Sequence, residues 1–145
     1  YSPKNTLIYA DRLVLLDYEV IHWGDPAFDL GFGLTHLLSK AHHVVPLRRQ
    51  FATAAQHFWR SYTAVSQPPG TDAAAWQTAL EPYAIRHTLA CLLARVAGRS
   101  PLEYLTGAER AQQQAVVVTL MQQQPLSMTA CIEEFVSRIE QGSSV

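Results

Sequence analysis

The sequence predicts a mainly α fold (α+β), with a short N-terminal β-hairpin packed on a bundle of about six helices. Three observations carry this prediction. Two short apolar runs, 6–9 and 13–18, flank the polar break Ala10-Asp11-Arg12, which has the length of a hairpin loop. From Leu30 onward, leucines and aromatics recur at helical spacing. Proline and glycine then punctuate those stretches at Pro46, Gln67-Pro68-Pro69-Gly70, Pro82, Gly98 and Pro125.

Each element has its own reason. TLIY (6–9) is β-prone, and LVLLDY (13–18) reads as the more buried partner strand. A two-stranded ribbon is marginal alone, so it is expected to rest on the helices. Asp25 followed by Pro26 is a helix start, with the carboxylate as N-cap and proline in the first turn. Leu30, Leu34, Leu37, Leu38 and Ala41 continue it as one apolar stripe over 26–41, and Gly31 and Gly33 inside it point to close backbone packing. Pro46 opens a helix over 47–65 with Leu47, Phe51, Ala54, Phe58 and Tyr62 along one side. Thr71-Asp72 caps a helix to Leu80, and a further helix runs from Tyr83 to Ala97 with Gly98 as its cap. Pro101–Leu105 reads as one helical turn, 107–123 as a helix stopped by Pro125, and Ser127 as the cap of a last helix to Glu140. The glutamine runs at 112–114 and 122–124 read as exposed helix faces. The 145 residues make a single domain: 1–25 the hairpin and its polar segment, 26–141 the helical part, 142–145 a tail.

Composition narrows the function classes. A formal net charge of −1 argues against nucleic acid or an anionic membrane surface as the main partner. No apolar run is long enough to span a bilayer, and Cys91 and Cys131 lack any CxxC spacing, so a cytoplasmic chain with reduced thiols is expected. The six histidines show no HxxxH or HExxH pattern, and there is no G-x-S-x-G elbow for a hydrolase.

Chemistry concentrates at the front. Asn5, Asp11, Asp17, Glu19, Asp25 and Asp29 all fall within the first 31 residues. Asp17 is the odd one, a carboxylate at the end of a Leu/Val strand, where burial is costly without a partner or a cation. An Asn at one strand's start and an Asp at its partner's end can converge across a hairpin. Asp11 reads as a turn residue and Asp25 as a cap. Asp29 suits the first turn of its helix electrostatically.

PKN, a hairpin, and then LLDYEVIHWGDPAFDLG resemble the catalytic segment of the aminoglycoside phosphotransferase/choline kinase-like family, small-molecule kinases with a protein-kinase-like fold. GRSPLEYL (98–105) resembles a segment of that family's C-terminal helices. The resemblance implies the C-terminal lobe of such a kinase. Its catalytic loop reads H-x-D-x-x-x-x-N; with Asn5 as the Asn, the catalytic Asp is expected immediately before Tyr1, so no catalytic base lies in the chain. Asp17 falls on the family's metal-binding Asp, and Gly24, Asp25, Pro26 and Asp29 match G-D-P-x-x-D-L. Ser2 stands where protein kinases carry a functional Lys, a departure from that group.

These matches imply Mg²⁺ held by Asn5 and Asp17, with ATP as phosphoryl donor. Leu7 and Leu16 would floor the adenine, although leucines in strands are ordinarily plain core. Asp25 and Asp29 would brace the structure, and Glu19 could assist the metal or sit exposed in a turn. The implied partners are the enzyme's own N-terminal lobe and a small-molecule acceptor. From Leu30 onward there are seven acidic and nine basic residues, so a neutral or anionic acceptor is favoured over a polycation. Having no glycine-rich loop and no H-x-D, the isolated chain is expected to be inactive. The competing reading is a non-catalytic helical binding or interaction module whose acidic residues only cap and brace.

Overall fold

The structure, a computed structural model, describes residues 3–17 and 22–142. Over these residues the protein is mainly helical with one small antiparallel sheet. A 3₁₀ turn, Pro3–Asn5, leads into β1 (Thr6–Tyr9), which pairs with β2 (Arg12–Leu15). Five helices follow: α1 (Pro26–His43), α2 (Arg48–Val65), α3 (Ala73–Ala97), α4 (Gly107–Gln123) and α5 (Met128–Gly142). None of the helices among these residues is long and apolar enough to cross a membrane.

The hairpin forms, but tighter and barer than expected. Its loop is two residues, Ala10 and Asp11, both left-handed at φ 47° and 57°, the twist that suits a two-residue connection. Arg12 therefore joins the strand, and β2 ends at Leu15, two residues before Asp17. The expected burial of the second run is not found: Leu13 is 63% exposed and Leu15 48%. Every residue from Leu7 to Asp17 is exposed, so the described helices do not cover this ribbon.

α1 is the central strut. Asp25 caps it by accepting from the Ala27 amide at 2.9 Å, with Pro26 in the first turn. Its stripe of Ala27, Leu30, Leu34, Leu38 and Ala41 is fully buried. Gly31 is where α1 and α3 touch: a Cβ there would lie 2.6 Å from the His87 carbonyl carbon. Thr35 Oγ1 seals the crossing, donating to Gly31 O at 2.8 Å with Thr88 O at 3.3 Å. At the other end, the buried Arg48 guanidinium donates to Ala41 O and His42 O, satisfying carbonyls that the helix leaves open.

Four expectations about the helical part are corrected. α2 begins at Arg48 after a 3₁₀ turn (Val45–Leu47), and its buried line is Arg48, Ala52, Ala55, Trp59 and Thr63. Ala54 and Leu47 are exposed, so the face is turned by about one residue from the expected one. α3 is one helix of 25 residues rather than two, with Pro82 inside it. Leu80 on one side of Pro82 and Ala84, Ile85, Leu89 and Leu92 on the other are all buried, and this packing offsets the hydrogen bond that proline cannot make. The first glutamine run is not an exposed face. Gln113 is fully buried, because its amide bridges Ser39 Oγ, the Leu92 carbonyl and His42 Nδ1. Pro101–Leu105 is a turn closed by Leu105 N to Leu102 O at 3.2 Å, not a helical one.

Candidate functional site

The hairpin brings Asn5 and Asp17 together. The backbone ladder runs one pair past β1 and β2, with Leu16 N donating to Asn5 O at 2.8 Å. That bond places the 3₁₀ turn opposite the chain leaving β2. Asp17 then takes a left-handed conformation, φ 59°, which aspartate tolerates better than most residues. Asn5 Nδ2 donates to Asp17 Oδ2 at 2.7 Å across a separation of 12 residues. The amide oxygen of Asn5 and the second carboxylate oxygen of Asp17 carry no other bond among the described residues, and Asp17 faces solvent.

The residue types, an amide and a carboxylate, are ones that Mg²⁺ takes from protein, and the contact between them runs from Asn5 Nδ2 to Asp17 Oδ2. Two hard oxygens, one of them charged, are what a cation that keeps its waters and binds substrate phosphates takes from protein. Among the described residues no group of three or more His, Cys, Asp and Glu side chains is placed to hold a metal, so a cation here would complete its shell with water or substrate. By strand alternation from the observed register, Leu7, Val14 and Leu16 share one face of the ribbon with Asn5. Leu7 is 51% and Leu16 44% exposed, which leaves an apolar shelf beside the polar pair.

The other front-end carboxylates separate from this pair. Asp25 caps α1 and its second oxygen lies 3.4 Å from His87 Nε2 on α3. Asp29 is exposed in the first turn of α1, and its carboxylate makes no hydrogen bond or ion pair among the described residues. Asp11 lies in the hairpin turn. Glu19, Tyr18 at the end of the expected second strand, Tyr1, Ser2 and the tail residues 143–145 lie outside the described residues.

A second polar cluster was not legible in the sequence. It joins the middle of α1 to the end of α3 and the 98–106 connection. Arg95 stacks over Phe32 with 5.0 Å between the guanidinium carbon and the ring centre, and Phe32 meets the His36 ring edge-on at 5.0 Å. Lys40 Nζ sits 3.8 Å over the Tyr104 ring. His36 Nε2 is shut off from water and makes no hydrogen bond among the described residues; such an orphan costs about 1–3 kcal/mol. The Tyr104 hydroxyl is equally shut off from water and faces the Ser39 side chain. Burial, then the positive charges of Arg95, Lys4 and Lys40, drive the His36 pKa down to about 4. Burial likewise pushes Tyr104 up to about 12. Neither Arg95, Lys40 nor Lys4 is ion-paired among the described residues. The nearby Glu109 is engaged by His43 at 2.8 Å and by the Thr106 backbone. Only the i, i+4 spacing of His36 and Lys40 was visible beforehand; Arg95 and Tyr104 join them through tertiary folding.

Two cavities lie elsewhere. One of about 370 Å³ opens between α3 and the end of α4, lined by Ile85, Leu89, Met121, Pro125 and Leu126 with Arg86 in its wall. Another of about 230 Å³ lies between Asp25, Trp76, Leu80 and Tyr83. Neither contains Asn5 or Asp17. Both thiols are free; burial raises the pKa of each, which disfavours a nucleophilic role. No family model matches the chain, and no curated protein or solved structure matches it either.

Proposed function

We propose that this chain is the metal-binding, helical part of an ATP-dependent phosphotransferase acting on a small-molecule hydroxyl, with the architecture of a protein-kinase-like C-terminal lobe. The Asn5–Asp17 contact carries the reading: an amide and a carboxylate 12 residues apart meet at 2.7 Å, exposed, at the end of a hairpin. Asp17 meets a side chain of the kind that also ligates a metal, the Asn5 amide. When bound, Mg²⁺ would bridge ATP phosphates and neutralise the charge that develops during transfer. Asn5 and Asp17 would hold it, Leu7 and Leu16 would support the adenine, and the bare hairpin would be covered by the N-terminal lobe of such an enzyme.

The sequence holds no glycine-rich loop and no H-x-D, so these 145 residues alone bind Mg-ATP weakly and do not turn it over. Calorimetric titration with Mg-ATP tests the assignment. Wild type gives a weak, Mg-dependent heat that disappears in Asp17→Ala while the thermal midpoint stays near wild type. Unchanged binding in Asp17→Ala removes Asp17 from the site, and loss of folding in that variant favours the module reading, in which the acidic residues are structural. ATP turnover by residues 1–145 would contradict the division of labour proposed here.

A further inference from the structure

The cluster of Lys40, Arg95, His36 and Tyr104 lies outside the Asn5–Asp17 pair and has no part in holding metal. Its composition is one-sided: two half-buried cations reach it from α1 and α3, and neither is ion-paired among the described residues. Glu109, the acidic residue close by, is already bonded to His43 and Thr106. Arg95 spends one guanidinium nitrogen on Ser100, through its carbonyl at 3.0 Å and its hydroxyl at 3.3 Å. The rest of its fork makes no hydrogen bond among the described residues. Lys40 rests on an aromatic face that leaves its three donors unspent. A polar atom beside them, His36 Nε2, also lacks a partner among the described residues. Cations held by ring stacking, with spare donors and no ion pair among the described residues, are what an oxyanion needs.

We propose that Lys40 and Arg95, backed by Tyr104 and His36, form a binding site for an oxyanion group of the acceptor substrate, a phosphate or a carboxylate. The substrate class is therefore a small anionic molecule carrying a free hydroxyl. Lys4, next to Asn5 in sequence, is one of the positive charges that act on His36. The word acceptor rests on the phosphotransferase reading; the anion site itself does not.

Inorganic phosphate is the probe, titrated into residues 1–145 at constant ionic strength with the His36 ring and Arg95 side-chain signals followed by NMR. Saturable shifts at both groups are expected, weakened about tenfold by Arg95→Gln and by Lys40→Gln and unchanged by Arg99→Gln, which removes a nearby exposed charge. Should Arg95→Gln fail to fold, Lys40→Gln decides alone. Binding that survives Asp17→Ala and saturating Mg-ATP belongs to the cluster and to the acceptor side. Displacement by Mg-ATP would assign the anion to the nucleotide, and loss in Asp17→Ala would assign it to the metal pair; either overturns the proposal. Non-saturable shifts, or full affinity in both Lys40→Gln and Arg95→Gln, would do the same. Because Mg-ATP binding is read separately in Asp17→Ala, failure of the anion site and failure of the phosphotransferase reading give different results.

Discussion

Gly31 is the residue on which the α1–α3 crossing depends. A methyl group there would meet the backbone of His87 and Thr88 at 2.6–2.7 Å, and backbone cannot rotate away as a side chain can. Gly31→Ala is expected to destabilise the protein by about 1–3 kcal/mol, read as a lower urea midpoint. Titration gives a second residue-scale test. His36 and His42 both have folded-state pKa values below 6.5, His36 at about 4, with burial as the leading cause. The unfolded chain protonates these rings below about pH 6.5 and the folded chain does not. The unfolded state therefore binds more protons in that window, and stability falls as pH drops from 6.5 toward 4. Glu109 is partly desolvated, yet Thr106 and His43 hold it below the usual carboxyl range, so its contribution is lost at lower pH. Stability measured in steps from pH 7 to pH 4 should show a flatter slope in His36→Asn than in wild type. Equal slopes would mean that His36 is hydrated in the fold.

At the scale of elements, legibility followed local chemistry. α4 was bounded correctly because Gly107 and Pro125 mark its ends, and α1 because Asp25-Pro26 is a start signal that depends on no distant residue. The capping box of Thr106 with Glu109 is a local signal of the same kind, a T-x-x-E spacing that fixes the start of α4. α3 was divided at Pro82 because the proline rule is local, whereas the packing that overrides it comes from other helices. The start of α5 is local and tertiary at once: Ser127 Oγ accepts the Ala130 amide at 3.1 Å, as its sequence position implies, and Glu81 on α3 accepts the Met128 amide at 2.7 Å, a bond across 47 residues. Gln113 was misplaced for the same reason, since its three partners sit on α1 and α3. If α3 is continuous, Pro82→Ala restores a bond to the Thr78 carbonyl and stabilises by about 1–3 kcal/mol, with amide protection running unbroken from 78 to 90. A neutral or destabilising effect would indicate two helices.

On the scale of the whole molecule, a helical body with a buried core carries an exposed ribbon at one end, and the two parts contribute differently. The body positions Asp25 and the cationic cluster through the α1–α3 crossing. The ribbon brings Asn5 and Asp17 into contact and leaves Leu7 and Leu16 bare. Of the candidate site, the Asn5–Asp17 pairing could be read because it depends only on a hairpin's register; the cationic cluster could not, because it needs three segments to meet. The central claim is that Asn5 and Asp17 hold a divalent cation together with ATP. Paramagnetic broadening by Mn²⁺ in the presence of ATP tests it most directly. The account predicts that amide signals of residues 4–7 and 15–17 vanish first, and that Asp17→Ala abolishes the effect without lowering the thermal midpoint. Broadening centred elsewhere, or undiminished in Asp17→Ala, would contradict it.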